Sequence, residues 1–453
     1  MNGELVGEWS LGSTGTPTFR YDPAWPESPR ARPLSLSLPI LPGNAPHQGA
    51  AVAAWFDNLL PDSRAIRERL AQRFRTRSTR VFDLLAAIGR DCVGAVQLLP
   101  AGSPPPDVRQ IDADPIDENA VAQVLRDVTA PRRPGASMTD GADFRISIAG
   151  AQEKTALLRL DGAWHRPRGA TPTTHILKLP LGLVGGMQFD LHDSVENEWL
   201  CMQLLAELGF SVAHTEIATF ADDRGVMKAL VVARFDRTHD PAGWIVRLPQ
   251  EDFCQALAVA PDAKYEADGG PGVPQAMTLL GNARDAAADR LAFARAQLAF
   301  WLLAATDGHA KNFSLFLRRD GHVLTPLYDV LSAWPVIGRG PGELAYEHAR
   351  LAMAVRTRGG ERAYRDMGRI PLRAWRRLAA ATGVPDAFAH FEALVHAVEP
   401  ALARVEPRVP AGFPEHVWSR IRDGMLRHRD LFLASLATNA GGEDDLRSHG
   451  AAL

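Results

Sequence analysis

The chain has 453 residues, long enough for two or three domains with sizeable cores. Its 46% hydrophobic and 23% charged residues exclude general disorder and collagen-like repeats. With 50 basic and 53 acidic side chains the formal charge is −3, so no global basic field points to nucleic acid or a membrane surface, and any such contact is local. Only five of the basic residues are Lys, at 154, 178, 228, 264 and 311. Ammonium and guanidinium are not interchangeable in a tight site, so the places that keep Lys are informative.

Cys92, Cys201 and Cys254 form an odd trio without CxxC spacing, which suggests neither a disulfide framework nor a zinc cluster. The opening residues Met1–Glu8 carry two acids and no basic or apolar leader pattern, so a signal peptide is not expected. The longest fully apolar run, Leu298–Ala305, falls well short of the ~20 residues of a membrane-spanning helix. Together these features predict a cytoplasmic protein with no membrane partner.

The first hundred residues predict an α+β unit. Leu34–Leu38 alternates with period two as a half-buried strand does, and Val52–Leu60 and Ser63–Phe74 carry helical patterning. Arg64, Arg67, Arg69, Arg73, Arg75, Arg77 and Arg80 make the next stretch basic; a solvated helix face interleaved with Asp62 and Glu68, or an anion-binding surface, accounts for it. Ala101–Pro106 and Pro131–Gly135 are linker signals flanking a helix expected over Glu118–Val128. A domain boundary is expected near 135–143.

From Phe144 the pattern is strand, tight turn and strand, ending in Thr155–Leu160. His175–Leu179 is another strand, with Lys178 on one face and Leu177 and Leu179 on the other. Asp193 and Glu196 have capping-box spacing before a helix that Gly209 ends. Ala229–Arg234 is a further strand. The chain then turns mainly helical, with Asp289 expected to cap a long helix whose Leu291, Ala294, Leu298, Trp301, Leu302 and Ala305 share a face and which ends at Thr306-Asp307-Gly308. Strands with one helix and then mostly helices is the order of a two-lobed α+β domain with a cleft.

Asp307-Gly-His-Ala-Lys-Asn312 places an acid and an amide five positions apart in the loop after that helix. Protein kinases use this spacing: the Asp accepts or orients the substrate hydroxyl proton and the Asn holds Mg²⁺. A helix-ending turn rich in Asp, Gly and Asn reads the same way in isolation. Seventeen residues further on, Tyr328-Asp329 follows a strand-like Val323–Leu327 and supplies a second carboxylate. Upstream, Lys178 lies mid-strand among apolar neighbours, a costly place for a charge unless it is paired, holds phosphate, or snorkels from an edge. Glu198 shares a helix face with Cys201, Met202 and Leu205 and is the candidate partner, whereas Glu196 is explained as the cap. The turn Ser147–Thr155, with one Gly, offers backbone N–H groups and Lys154 to phosphates, yet matches neither common Gly-rich phosphate motif.

Several runs closely resemble the HipA toxins, the serine/threonine kinases of bacterial type II toxin–antitoxin modules linked to persistence. They are Arg145–Leu158, Pro172–Pro180, Arg247–Asp252, Tyr265–Gly272 and Ala305–Ser314, with Arg32–Pro39, Phe56–Ser63 and Ile88–Ala95 in the amino-terminal unit. The resemblance spans nearly the whole chain. It implies an α+β fold, a two-lobed protein-kinase-like domain with a mainly helical C-lobe preceded by a small α+β N-terminal subdomain. The expected divisions are 1–140 for that subdomain and linker, 141–236 for the N-lobe and 237–453 for the C-lobe.

By the same resemblance Asp307 is the catalytic Asp, Asn312 and Asp329 are the Mg²⁺ ligands, and Lys178 contacts the phosphates of ATP. Ala149, Gly150, Ala151, Gln152, Glu153 and Lys154 form the phosphate loop. Ala233, Arg234 and Phe235 form the hinge whose backbone meets adenine, and Gln250, His309, Ala310, Lys311 and Tyr328 complete the nucleotide's surroundings. Ser147 is the autophosphorylation site: a phosphate of charge near −2 cannot stay packed beside those of ATP, so the loop leaves and the kinase is shut off. The expected partners are a HipB-like helix-turn-helix antitoxin, operator DNA mainly through that antitoxin, and an aminoacyl-tRNA synthetase as substrate, glutamyl-tRNA synthetase first. Two readings stand beside this one: a small-molecule phosphotransferase, and a non-enzymatic co-repressor bound to the antitoxin. No D-F-G or H-R-D string is present. Arg373, Arg376 and Arg377 form a basic stripe that is either a solvated face or a phosphate contact.

Overall fold

The computed structural model describes residues 1–129, 152–184, 189–357 and 362–448. The chain divides into two compact units that interleave along the sequence. The first comprises Met1–Leu181, Ala213–Pro271 and Phe313–Pro326, and the second Gly182–Val212, Gly272–Asn312 and Leu327–Leu453. The amino-terminal subdomain and the strands expected of the N-lobe therefore share a unit. Helix Ser194–Glu207, which the sequence order assigns to residues 141–236, belongs to the helical one.

In the first unit, strands Gly7–Leu11, Pro17–Tyr21 and His47–Gln48 form a small antiparallel sheet. Helices Ala50–Asp57 and Val81–Ile88 bury Trp55, Phe56, Leu84, Leu85 and Ile88 in one cluster with Phe19, Tyr21 and Leu38. Each such side chain contributes roughly 1.5–3 kcal/mol on leaving water. Helix Arg64–Phe74 carries Arg64, Arg67, Arg69 and Arg73 of the basic run and has no fully buried residue; Arg64 pairs with Glu68, Arg67 with Asp57 and Arg69 with Glu153. The expected strand Leu34–Leu38 does not form. Prolines 33 and 39 flank it, the Leu38 N–H bonds back to the Ser35 carbonyl at 3.1 Å, and the Leu36 N–H donates to Glu251 at 2.9 Å. A turn closed on itself, with its side-chain hydroxyls bonded locally, outcompetes the ladder.

A six-stranded antiparallel sheet runs in the order Thr215–Asp222, Gly225–Ala233, His175–Lys178, Lys154–Leu160, Ala163–Pro167, Ala113–Ile116. Helix Glu118–Thr129, found where expected, packs Val121, Ala122 and Leu125 on one face against Leu157, Leu177, Leu179, Ala229 and Val231. Because strand side chains alternate, Lys154, Ala156, Lys178 and Leu230 fall on the opposite face. Two further antiparallel sheets lie in the unit, Arg237–His239 with Ile245–Arg247, and Gln250–Asp252 with Ser314–Arg318 and Gly321–Leu324.

The second unit is mainly helical. Helix Ala286–Leu302 is capped by Asp285, whose Oδ1 accepts from the Ala288 N–H at 3.2 Å; Asp289 lies in the first turn instead. Its expected single apolar face is too narrow a description. Phe293, Ala294 and every residue from Ala296 to Leu302 are buried, while Leu291 is only half-buried. The helix stops four residues earlier than its pattern suggests, since Ala304 turns left-handed at φ 48°. Gly308 is required just beyond, because a Cβ there would lie 2.4 Å from the Phe300 ring. Trp301 stacks on His428 of the last helix, Glu415–Ser448, with centroids 4.1 Å apart. Helix Ser194–Glu207 ends at Gly209 in the expected left-handed conformation. Its capping box is absent: Asp193 makes no cap hydrogen bond and lies 3.2 Å from His416, and Glu196 is buried.

Candidate active site

In the helical unit, a tight turn follows the Ala286–Leu302 helix. The His309 N–H bonds the Asp307 carbonyl at 2.8 Å and the Asn312 N–H bonds the His309 carbonyl at 2.9 Å, producing the 3₁₀ turn Ala310–Asn312. The turn buries His309, Lys311 and Asn312 and leaves the Asp307 side chain 60% exposed. Its Oδ1 is 3.8 Å from His309 Nε2.

Two bonds fasten the Tyr328-Asp329 segment to this turn. Asn312 donates its side-chain N–H to the Asp329 carbonyl at 3.2 Å, and the Tyr328 hydroxyl donates to the Lys311 carbonyl at 2.7 Å. With its NH₂ so engaged, Asn312 has only Oδ1 to offer a cation. Asp329 has φ 60°, in the left-handed region that Asp tolerates better than most non-glycine residues. Three residues further on, Asn197 and Ser332 exchange two hydrogen bonds of 2.8 Å each, and the Ser332 hydroxyl donates to the Leu303 carbonyl at 2.5 Å. Thus Asp307, His309, Ala310, Lys311, Asn312, Tyr328 and Asp329 are brought together in one unit. One amide oxygen and one carboxylate suit Mg²⁺, which keeps several waters and takes few protein ligands. Among the described residues no cluster of three or more His, Cys, Asp or Glu is placed to hold a metal by itself.

In the strand-rich unit the ladder pairs Lys154 directly with Lys178, and Lys178 in turn with Leu230. Two like charges opposite each other on one face are unfavourable, and Lys178 is buried as well. Gln152 donates its side chain to the Leu179 carbonyl at 2.6 Å, while Glu153 turns its carboxylate to Arg69. The expected hinge leaves Ala233 and Phe235 beside a wholly inward Arg234. The N–H groups of Ala233 and Arg234 are already committed, to the His214 carbonyl at 2.9 Å and the Thr174 carbonyl at 2.8 Å, which narrows what the hinge backbone offers a base. Gln250 is buried, and its Oε1 has no hydrogen-bond partner among the described residues. Ser147, Ala149, Gly150 and Ala151 lie outside the described residues.

Three groups had no role in the sequence reading. Asn197 and Ser332 fasten the chain just after Asp329 to the helix Ser194–Glu207, yet nothing in the local sequence marks either. Glu251, fully buried, accepts from the Leu36 N–H and from Trp55 Nε1 at 3.2 Å. Burial pushes its carboxyl up to about 7, only partly offset by those donors. Between pH 4.5 and 7 the folded chain therefore keeps a proton that the unfolded chain has lost, so this group's contribution to stability is full below that window and is lost as pH rises through it. His175 and His428, lowered by burial to about 4 and about 3, impose the opposite slope below pH 6.5. The comparison with Glu251→Gln cancels them: relative to wild type the variant is expected to gain about 3 kcal/mol between pH 4.5 and 7.5 in urea unfolding. A difference independent of pH contradicts this.

Arg373 and Arg376, two members of the proposed basic stripe, engage aromatic neighbours, Arg373 with the Tyr364 hydroxyl at 3.2 Å and Arg376 over the Phe388 ring. A cavity of about 320 Å³ between Arg90, Gln97, Gln110 and Arg168 involves none of the expected nucleotide contacts. Among the described residues no helix is long and apolar enough to cross a membrane.

A strand-rich unit with paired lysines and a helical unit carrying the Asp307–Asn312 turn and Asp329 define a protein-kinase-like fold. Family models agree in detail: residues 1–99 match the HipA N-terminal domain and residues 146–403 the HipA-like C-terminal domain. The chain belongs to the HipA family. It is 33% identical over 411 residues to a Sinorhizobium fredii protein named "Putative kinase Y4mE", covering 89% of this chain and 90% of that one. It is 29% identical over 343 residues to the serine/threonine-protein kinase toxin HipA of Shewanella oneidensis, covering 72% and 73%. A solved structure of HipA with HipB and operator DNA from Shewanella oneidensis MR-1 superposes with a TM-score of 0.76 at 25% identity, covering 96% of this chain and 97% of that one.

Proposed function

We propose that this chain is the kinase toxin of a type II toxin–antitoxin module, an ATP- and Mg²⁺-dependent serine/threonine protein kinase. The observation that carries the reading is the joining of Asn312 to Asp329 in the turn that exposes Asp307. Bound Mg²⁺ neutralises charge on the transferred phosphoryl group. Asn312 and Asp329 hold it, Asp307 orients the acceptor hydroxyl and takes its proton, and Lys154 and Lys178 anchor the phosphates. The Gln250 Oε1 suits an amino donor such as that of adenine. The protein substrate is an aminoacyl-tRNA synthetase, with glutamyl-tRNA synthetase the first to test, so that translation stops and growth arrests; phosphorylation of Ser147 ends the activity. In the cytoplasm a HipB-like helix-turn-helix antitoxin binds the chain and carries it to operator DNA.

The test is transfer from labelled ATP with purified wild-type chain, alone and with glutamyl-tRNA synthetase. Label is expected on Ser147 and on the synthetase, and chelation of Mg²⁺ abolishes both. Absence of label on any protein with Mg²⁺ present overturns the kinase assignment. The co-repressor role is compatible with it and is favoured by the relative's structure with HipB and DNA; operator binding that persists in Asp307→Asn separates the two activities.

A further inference from the structure

We infer that residues 91–94 of the amino-terminal domain are a positioning element for the nucleotide, with Asp91 and Gly94 acting through the hinge and Gln250; this rests on the kinase reading above. Asp91 is buried and serves both neighbouring segments. Its Oδ2 accepts from the Thr173 N–H at 3.1 Å, the Thr173 hydroxyl at 2.7 Å and Arg234 Nη1 at 3.3 Å, and its Oδ1 accepts from Arg237 Nη2 at 3.0 Å and Arg247 Nε at 3.2 Å. The Cys92 carbonyl accepts from Arg234 Nη2 at 2.8 Å and Arg237 Nη2 at 2.9 Å. Gly94 donates its N–H to Asp236 Oδ2 at 2.7 Å, and its carbonyl accepts from Arg237 Nη1 at 2.9 Å. Asp236 binds Arg234 in turn, at 3.0 Å through Nε and 2.8 Å through Nη2.

The hinge side chain Arg234 is thereby held from one side by Asp91 and Cys92, a segment more than a hundred residues earlier, and from the other by Asp236 and the Thr173 hydroxyl. Three buried guanidinium groups share two carboxylates, so Asp91 supplies half of the negative charge that keeps them together. The same segment reaches the second expected nucleotide contact. Gly94, at φ 74°, lies so close to Gln250 that a Cβ would stand 2.7 Å from its carbonyl oxygen and 3.0 Å from its nitrogen. One loop thus sets the backbone position of Gln250 and the attitude of residues 233–235. A group that acts through two ligand contacts changes affinity for that ligand before it changes the chemical step.

Two measurements test this. In wild type, ATP is expected to slow amide exchange in 91–94 together with 233–235. In Gly94→Ala and Asp91→Asn, KM for ATP is expected to rise about tenfold or more while kcat at saturating ATP stays within about twofold. A purely structural role instead lowers the melting temperature and the active fraction, hence kcat, with KM unchanged, and that result overturns the inference. If neither variant folds, the exchange experiment decides, and ATP-dependent protection of 233–235 without any change in 91–94 overturns it. Wild type that neither binds ATP nor transfers phosphate refutes the kinase reading itself, whereas active wild type with KM unchanged in folded variants refutes only the positioning role.

Discussion

Asp307→Asn is expected to reduce phosphoryl transfer to the synthetase by about 10²–10⁴-fold while ATP binding and thermal stability stay close to wild type. The magnitude is that of removing a positioned general base. The selectivity follows from the geometry: the Asp307 side chain is exposed, and the bonds that build its turn use its backbone and the buried His309 and Asn312. Asn keeps the size and loses the proton acceptor. Single-turnover transfer measured beside ATP affinity checks this, and unimpaired transfer removes Asp307 from the chemistry. Loss of ATP binding to the same degree as transfer assigns it to the nucleotide instead.

Lys178→Arg is expected to cost transfer about 10²-fold despite conserving charge, on the scale of a misplacement of about 1 Å in the reacting geometry. Lys178 is buried on a strand between Lys154 and Leu230, on a face where Ala156 and Leu230 are fully buried as well. An ammonium is a compact point charge that fits between phosphate oxygens; a planar guanidinium is longer and needs a fork-shaped partner. The loss is expected mostly in KM for ATP, with the melting temperature as control. Full activity in Lys178→Arg sinks the view that this chain, so rich in Arg, keeps Lys where phosphates demand it.

Local patterning made much of the fold legible. Helix Glu118–Thr129, strand His175–Lys178 with Lys178 on the face opposite Leu177, and the glycine that ends Ser194–Glu207 all follow from periodicity and from glycine's tolerance of positive φ. Side chains that choose among several partners are not legible in this way. Asp193 left the helix end for His416, and Asp285 rather than Asp289 capped the long helix, because capping competes with whatever carboxylate partner folding brings near. Leu34–Leu38 alternated as a strand does, but Glu251, more than two hundred residues away, took its backbone N–H.

What the sequence determined by itself is the chemistry on offer: Asp307 and Asn312 five positions apart, a later Asp329, and a chain that spends few lysines and places Lys154, Lys178 and Lys311 among its motif residues. Spacing fixes those because they lie in single turns or single strands. Long-range pairing alone sets Lys154 opposite Lys178, bonds Asn312 to Asp329, joins Asn197 to Ser332 and gathers around Asp91 three arginines drawn from two segments. Which residue stands opposite which in a ladder, and which charges share a buried network, depends on segments distant in the chain, so the pattern of one segment alone does not show it.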